Sequence, residues 1–357
     1  MAARVALDEL ARVHGLPRVC VVAGETSGFR LRARLAIRGR VGSPKIGLFE
    51  LGTHRVVHIP HCIVHHPLIN RVADVVRRAL VETRTTSYSD GAHQGLARYL
   101  QVVVERGSQS AQVVVVANSA SSHPLAACLD LIVSRLGSDL HSLWFNANPE
   151  RANTILGPEF ELWHGPPSVI EHFGGAAIHY PPGAFGQNNL EIAERIIEYV
   201  RSQIPLGARV TEFYAGVGAI GLSMLDRTSE LRINEVSPHS LRGLELSLME
   251  LAPAGRAKVS IVAGPAGVAS LAAVGSDVVV ADPPRKGLDP ALCEYLRERP
   301  PERLLYVSCG LESLKSDCAR LTSGGNLRLE ALCAFNLLPF TDHVEAVARF
   351  GRTRSTA

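Results

Sequence analysis

Apolar and charged positions alternate from Phe29 onward. Phe29, Leu31, Ala33, Leu35 and Ile37 fall on one face of an expected strand, and Arg30, Arg32, Arg34, Arg38 and Arg40 on the other, because strand side chains have a period of two. Successive arginines on that face would stand about 7 Å apart, close to the phosphate spacing along a nucleic-acid strand. A solvated sheet face accounts for the same pattern, although arginine in place of lysine favours phosphate recognition. Further strands are expected at 46–49 and 55–59, joined by a turn at Glu50-Leu51-Gly52-Thr53. Helical periodicity over 71–81 follows Pro67, a residue suited to a helix start. Runs at 96–104, 112–117 and 142–147 read as strands and 125–136 as a helix. Strands broken by single helices predict an α+β unit over residues 1–180.

The second half has a different rhythm. An amphipathic helix over 189–201 follows Phe185-Gly186-Gln187-Asn188-Asn189. Strands at 208–213, 231–235, 257–262, 277–281 and 303–308 then alternate with helices near 219–227, 238–250, 290–298 and 311–322. This predicts a doubly wound, mostly parallel α/β sheet over residues 181–357. Two final strands, near 327–336 and 343–350, have almost no helix between them, unlike the ending of a dehydrogenase.

Composition narrows the class. The chain has 357 residues, enough for two cores, and 46% hydrophobic with 20% charged residues describes a globular protein. A net charge of +3 supplies no global field for nucleic acid, so a basic footprint has to be local. No apolar run reaches the length of a membrane span, and the stretch from Met1 to Leu16 does not read as a secretory signal. No membrane partner is expected, and the chain is expected to be monomeric. Seven scattered cysteines imply free thiols and an intracellular location: cytoplasm, or plastid or mitochondrion if a targeting segment lies outside this sequence. His54, His58, His61, Cys62, His65 and His66 crowd one segment. None has Cys-x2-Cys spacing, and no metal site is expected.

Chemistry concentrates at the ends of the later strands. The apolar run Leu304-Leu305-Tyr306-Val307-Ser308 ends in Cys309, at the carboxyl edge where open parallel sheets hold ligands. A core cysteine is the plain alternative to a nucleophile there. Tyr214-Ala215-Gly216-Val217-Gly218 follows the first strand, and glycines at such a turn admit a ligand close to the backbone. Glu235, ending the next strand, is placed to accept from ribose hydroxyls. Asp282-Pro283-Pro284-Arg285-Lys286-Gly287-Leu288-Asp289 makes a rigid loop at the same edge. Glu345 is an acid inside an apolar strand, which fits a general base.

These segments, in this order, resemble the TrmA/RumA-type RNA 5-methyluridine (uracil-C5) methyltransferase family. The resemblance covers 185–187, 214–218, Glu235, 282–289, Ser308-Cys309 and His343-Val344-Glu345, and extends to Phe29–Gly39 and Gly47–Asn70, with wording nearest to plant and algal members. It implies a Rossmann-like class I methyltransferase domain that uses S-adenosylmethionine to methylate a uridine in tRNA or rRNA. By position, Gln187, Tyr214, Gly216, Gly218, Glu235 and Asp282 would line the cofactor site. Cys309 would be the nucleophile that adds to uracil carbon 6, and Glu345 the base. Arg30, Arg32, Arg34 and Phe185 are candidates for contact with the RNA. Gly310 replaces the asparagine usual after the nucleophile, and Ala219 stands where some members place a cofactor-contacting asparagine. Cys62 matches the last cysteine of an iron–sulfur motif whose upstream cysteines are lacking, so no cluster is expected. No β-barrel RNA-binding domain is expected before the central unit. A catalytically inactive RNA-binding or ribosome-assembly factor that keeps the fold is the alternative reading.

Overall fold

The computed structural model describes residues 2–151 and 153–353. Two sheets carry the chain. The first has seven strands in the order Val56–His58, Ser43–Phe49, Arg32–Arg40, Ala97–Val104, Ala111–Ala117, Leu140–Ala147 and Glu159–His164. Its neighbours are antiparallel except Ala111–Ala117 and Leu140–Ala147, whose parallel pairing needs the crossover helix Ala126–Leu136 between them. That helix and Pro67–Glu82 cover one face. Ala33, Leu35 and Ile37 meet Ile69, Val72, Val76 and Leu80 there, as the alternation required. Pro67 begins its helix, and His66 Nδ1 accepts the Leu68 N–H as the cap.

The second sheet has eight strands in the order Cys20–Val22, Leu327–Phe335, Glu345–Arg352, Arg303–Ser308, Val278–Ala281, Ala208–Phe213, Thr228–Glu235 and Val259–Ala263. The five strands from Arg303–Ser308 to Val259–Ala263 are parallel. Glu345–Arg352 runs antiparallel to both of its neighbours, which accounts for the absence of a crossover helix before it.

Two segments depart from a simple division near residue 180. Cys20–Val22 pairs in parallel with Cys333–Phe335, and the helix Ala2–Val13 puts Leu7, Leu10 and Ala11 into the same core as Leu314, Cys318 and Leu321. The hairpin of Val169–Phe173 and Ala176–Tyr180 likewise packs on Ile192, Ile196 and Val200 of the second unit. All seven cysteines are free thiols. No described helix is long and apolar enough to cross a membrane.

The arginine face differs from the evenly exposed row expected. Arg32 and Arg34 stand opposite Val103 and Gln101 in the register, and the second unit covers this side. Gln101 donates to the Pro182 carbonyl at 2.7 Å, and the Arg32 guanidinium lies 4.4 Å from the centre of the Tyr180 ring. Arg38 is buried too, paired with Asp90 at 2.6 Å and stacked near Phe49, Tyr88 and Tyr99. Only Arg34 and Arg40 are exposed. The part of the face around Arg32 is an interface between units, whereas Arg38 is covered from within the first unit.

Candidate active site

The site is built where parallel strands end. The register pairs Ser308 with Ala346, so Cys309 and Glu345, the next residues on each strand, come side by side. Val307 and Val347, one step back, are both in the core on the cofactor side of the sheet, whereas Ala346 lies in the opposite core. Glu345 therefore turns toward the glycine turn rather than toward the outer helices.

Cys309 is half-buried. Burial and the nearby Glu345 and Asp282 carboxylates hold its thiol above the ordinary value, while its own backbone N–H and Arg285 pull the other way. Glu345 is buried, and burial with the Asp282 charge pushes it to about 8. Burial also pushes Asp282 to about 7. A cavity of about 280 Å³ adjoins Cys309, walled by Arg285, Ser313, His343 and Val344 and closed on one side by Ala3 and Leu7 of the first helix.

The glycine turn hangs on Glu235. Its Oε2 accepts the Gly216 N–H at 2.7 Å, and its Oε1 accepts the N–H groups of Val236 and Ser237, each at 2.7 Å. Gly216 has φ +59° and open space where a side chain would project, whereas at Gly218, φ +83°, a Cβ would lie 2.7 Å from Leu244 Cδ1. The first glycine thus leaves room for a ligand; the second lets the following helix pack. Tyr214 also has positive φ, and its hydroxyl accepts the Asp289 N–H at 2.8 Å. That bond ties the turn to the 282–289 loop.

Four residues that matter were not marked by sequence reasoning. Glu212 is fully buried in the first parallel strand, with the Gly221 N–H nearby but no hydrogen bond of good geometry to either carboxylate oxygen. Burial, then Asp282 and Glu235, raise it well above its ordinary value, against the Gly221 N–H. An acid inside an apolar strand was its signal, the same signal that marked Glu345. Asp317, buried on the helix after Cys309, accepts from the Leu288 N–H at 2.9 Å and the Tyr306 hydroxyl at 2.8 Å. It thereby fixes the loop against the nucleophile's strand. Ala3 and Leu7 carried no signal, since their contact is with residues three hundred positions away.

Glu212, Glu235, Asp282 and Glu345 form a run of carboxylates, each near enough to the next to raise its pKa or be raised by it, along the carboxyl edge of the sheet. S-adenosylmethionine carries a positive sulfonium and ammonium, so the residues fit that group. Among the described residues, no three histidine, cysteine or acidic side chains are grouped to hold a metal. In the histidine-rich segment, His58 contacts the Ile46 carbonyl, and His66 caps a helix. Gln187 and Phe185 lie on the segment joining the two units. Arg30, Arg32, Arg34 and Phe185 share a second cavity, none of whose walls it has in common with the Cys309 cavity.

Comparison with known proteins agrees with this geometry. A family profile described as tRNA (Uracil-5-)-methyltransferase matches residues 267–351, which hold Asp282, Cys309 and Glu345. An uncharacterized RNA methyltransferase of Protochlamydia amoebophila is 36% identical over 335 residues, covering 92% of this chain and 87% of that protein. Another, from Halalkalibacterium halodurans, is 26% identical, covering 89% and 69%. Both are bacterial, and the expected nearness to plant and algal members finds no support in them. The Pyrococcus abyssi tRNA (uracil-54, C5)-methyltransferase, solved with S-adenosyl-L-homocysteine, superposes with a TM-score of 0.81 at 21% identity, over 98% of this chain and 83% of that one. That likeness extends the shared fold over 98% of this chain. The chain belongs to the S-adenosylmethionine-dependent RNA (uracil-5-)-methyltransferase family.

Proposed function

We propose that the enzyme methylates a uridine of tRNA or rRNA through a covalent adduct between Cys309 and uracil carbon 6, with Glu345 as the base. The observation that carries this reading is the side-by-side register of Cys309 and Glu345. Carbon 5 of uracil is too weak a nucleophile to take a methyl group unaided. The Cys309 thiol gives up its proton to solvent water, and Sγ bonds to carbon 6. The ring electrons move to an enolate that enriches carbon 5. S-adenosylmethionine supplies the electrophilic methyl group, and Gln187, Gly216, Glu235 and Asp282 would hold it. Once carbon 5 is methylated, the Glu345 carboxylate takes the carbon 5 proton, the carbon 5–carbon 6 double bond re-forms, and the sulfur leaves as thiolate. A thiolate suits both halves, being a good nucleophile and a good leaving group.

A carboxylate raised to about 8 is a strong enough base for that proton. Arg285 sits near both Glu345 and Cys309 and favours their charged forms. A monomeric enzyme acting inside the cell belongs to the same reading, and the seven free thiols support the location.

RNA containing 5-fluorouridine tests the adduct, because fluorine cannot leave as a cation. With cofactor present, wild-type protein should form a denaturation-resistant complex that Cys309→Ala does not. Failure to trap any candidate RNA that the enzyme methylates would overturn the covalent route.

A further inference from the structure

We propose that the cavity between the two units is a subsite for the nucleotide flanking the target uridine, with its phosphate on Arg32 and its base against Phe185. The inference rests on the RNA methyltransferase reading and adds a place for RNA outside the reaction centre. Arg32 is 91% buried by its 9% exposure, yet its Nε and Nη2 have no hydrogen-bond partner, and no described carboxylate ion-pairs with it. Its guanidinium is held in a slot. The Tyr180 ring lies 4.4 Å away on one side, and Gly186 approaches so closely on the other that an added Cβ would come within 2.5 Å of Arg32 Cζ. An orphaned cation fixed in place is costly unless an anion comes to it. Burial lowers the pKa of this guanidinium from the ordinary arginine value, with Tyr180 and Glu171 acting in the opposite sense.

The surroundings select the anion. The cavity holds about 350 Å³, and its walls include Arg30 and Arg34 but no acidic residue among those described. Arg34 is oriented by its Nε bond to Gln101 Oε1 at 2.8 Å. Phe185 on the rim is 66% exposed, a large ring with nothing packed over it. A cationic slot beside an unstacked aromatic is what single-stranded RNA recognition uses: phosphate on arginine, base on ring. Gln187, an expected cofactor contact, is two residues from Phe185 on the same segment, which ties this cavity to the cofactor side of the site.

Binding of oligouridylate, measured across a range of KCl concentrations, tests the subsite. Arg32→Met should lower the slope of log affinity against log salt by about 0.7, the loss of one phosphate contact on a single strand. Phe185→Ala, a surface change that should not disturb folding, is expected to weaken binding about tenfold with the slope kept. A folded Arg32→Met protein with wild-type slope and affinity would overturn the proposal, as would a Phe185→Ala protein that binds like wild type. Should Arg32→Met not fold, Arg32→Lys keeps the charge, and neutral methylphosphonates placed singly along the RNA then decide. One linkage should matter strongly to the wild type, and equal effects at all linkages would overturn the site. Methyl transfer is read separately. Its absence, with Arg32-dependent binding intact, would remove the Cys309 chemistry and leave this subsite standing.

Discussion

Glu345 stands beside Cys309 because the strand that carries it, Glu345–Arg352, runs antiparallel to Arg303–Ser308, with Ala346 opposite Ser308. In an all-parallel sheet both side chains would come from strand ends, each followed by its own loop. Here the nucleophile ends one strand and the base begins the next, so a single register holds both.

The first expectation follows from that register. Glu345→Gln keeps the shape of the side chain but cannot take the carbon 5 proton. Methylation should fall by about a hundredfold or more, while the sulfur–carbon 6 bond still forms. Protein and ordinary uridine RNA should then accumulate as a complex visible on a denaturing gel. A slow variant that accumulates no complex would assign the proton to another group.

The pH profile has a definite direction. Glu345, at about 8, acts as a base only when ionised, and the Cys309 thiol, held above its ordinary value, becomes nucleophilic only when ionised. Both requirements favour higher pH. The kcat/KM for RNA should climb from pH 6 to beyond pH 8, at the start about tenfold per pH unit if one of the two ionisations limits and about a hundredfold if both do. A flat profile over that interval would show that neither group limits the reaction.

The same carboxyl group affects stability. Its pKa rises from an ordinary value of 4.5 to about 8 in the folded protein, so the folded state binds the proton more tightly. The stability this contributes is fully present below pH 4.5 and is lost as pH rises through 8. Glu345→Gln should therefore melt near the wild-type temperature at pH 5 and higher, by roughly 5 °C or more, at pH 9. Equal melting temperatures at both pH values would mean that Glu345 is solvated.

Much of this was legible in the chain because the second half repeats strand and helix with little interruption. Expected strands at 208–213 and 303–308 coincide with Ala208–Phe213 and Arg303–Ser308, since apolar β-branched runs bounded by Gly and Pro leave little choice. The site residues at strand ends were legible for the same reason. What escaped were pairings remote in sequence. Cys20–Val22 is three residues long and has no signature until Leu327–Phe335 offers it an edge. What covers the arginine face was not legible, because periodicity tells which side chains share a face, not what lies over it. Tyr180 and Gly186, which cover Arg32, lie about 150 residues further on. Glu212 was passed over although its signal matched that of Glu345.

Gly310 invites a test of the family's usual residue. At its φ of −120° any side chain suits the backbone, so the constraint is space. A Cβ would come within 2.7 Å of the Arg285 carbonyl oxygen, and a backbone carbonyl in a proline-rich loop cannot swing aside. Gly310→Asn, although it restores the residue common in the family, should cost about 1–3 kcal/mol and move Cys309 relative to the 282–289 loop. Chemical denaturation and turnover measure the two effects. A stable, fully active variant would mean that this loop yields freely.

Cofactor binding should release protons. Asp282 titrates at about 7, and Glu212 is raised well above its ordinary value by burial and by its acidic neighbours. Asp282 is therefore only partly ionised near neutral pH, and Glu212 is held toward its protonated form, until a cation arrives. A positive sulfonium and ammonium brought among them favours the ionised forms, so binding S-adenosylmethionine at pH 7 should expel protons, and affinity should increase as pH rises from 6 to 8. Calorimetry in two buffers of different ionisation enthalpy counts the protons directly. Glu212→Gln should reduce the count and weaken binding, because it removes a buried acid whose proton the cofactor's positive charge would displace. Binding with no proton release and no pH dependence would place the cofactor's positive charge away from Glu212 and Asp282. The open side of Gly216 would then have to receive some other part of the molecule.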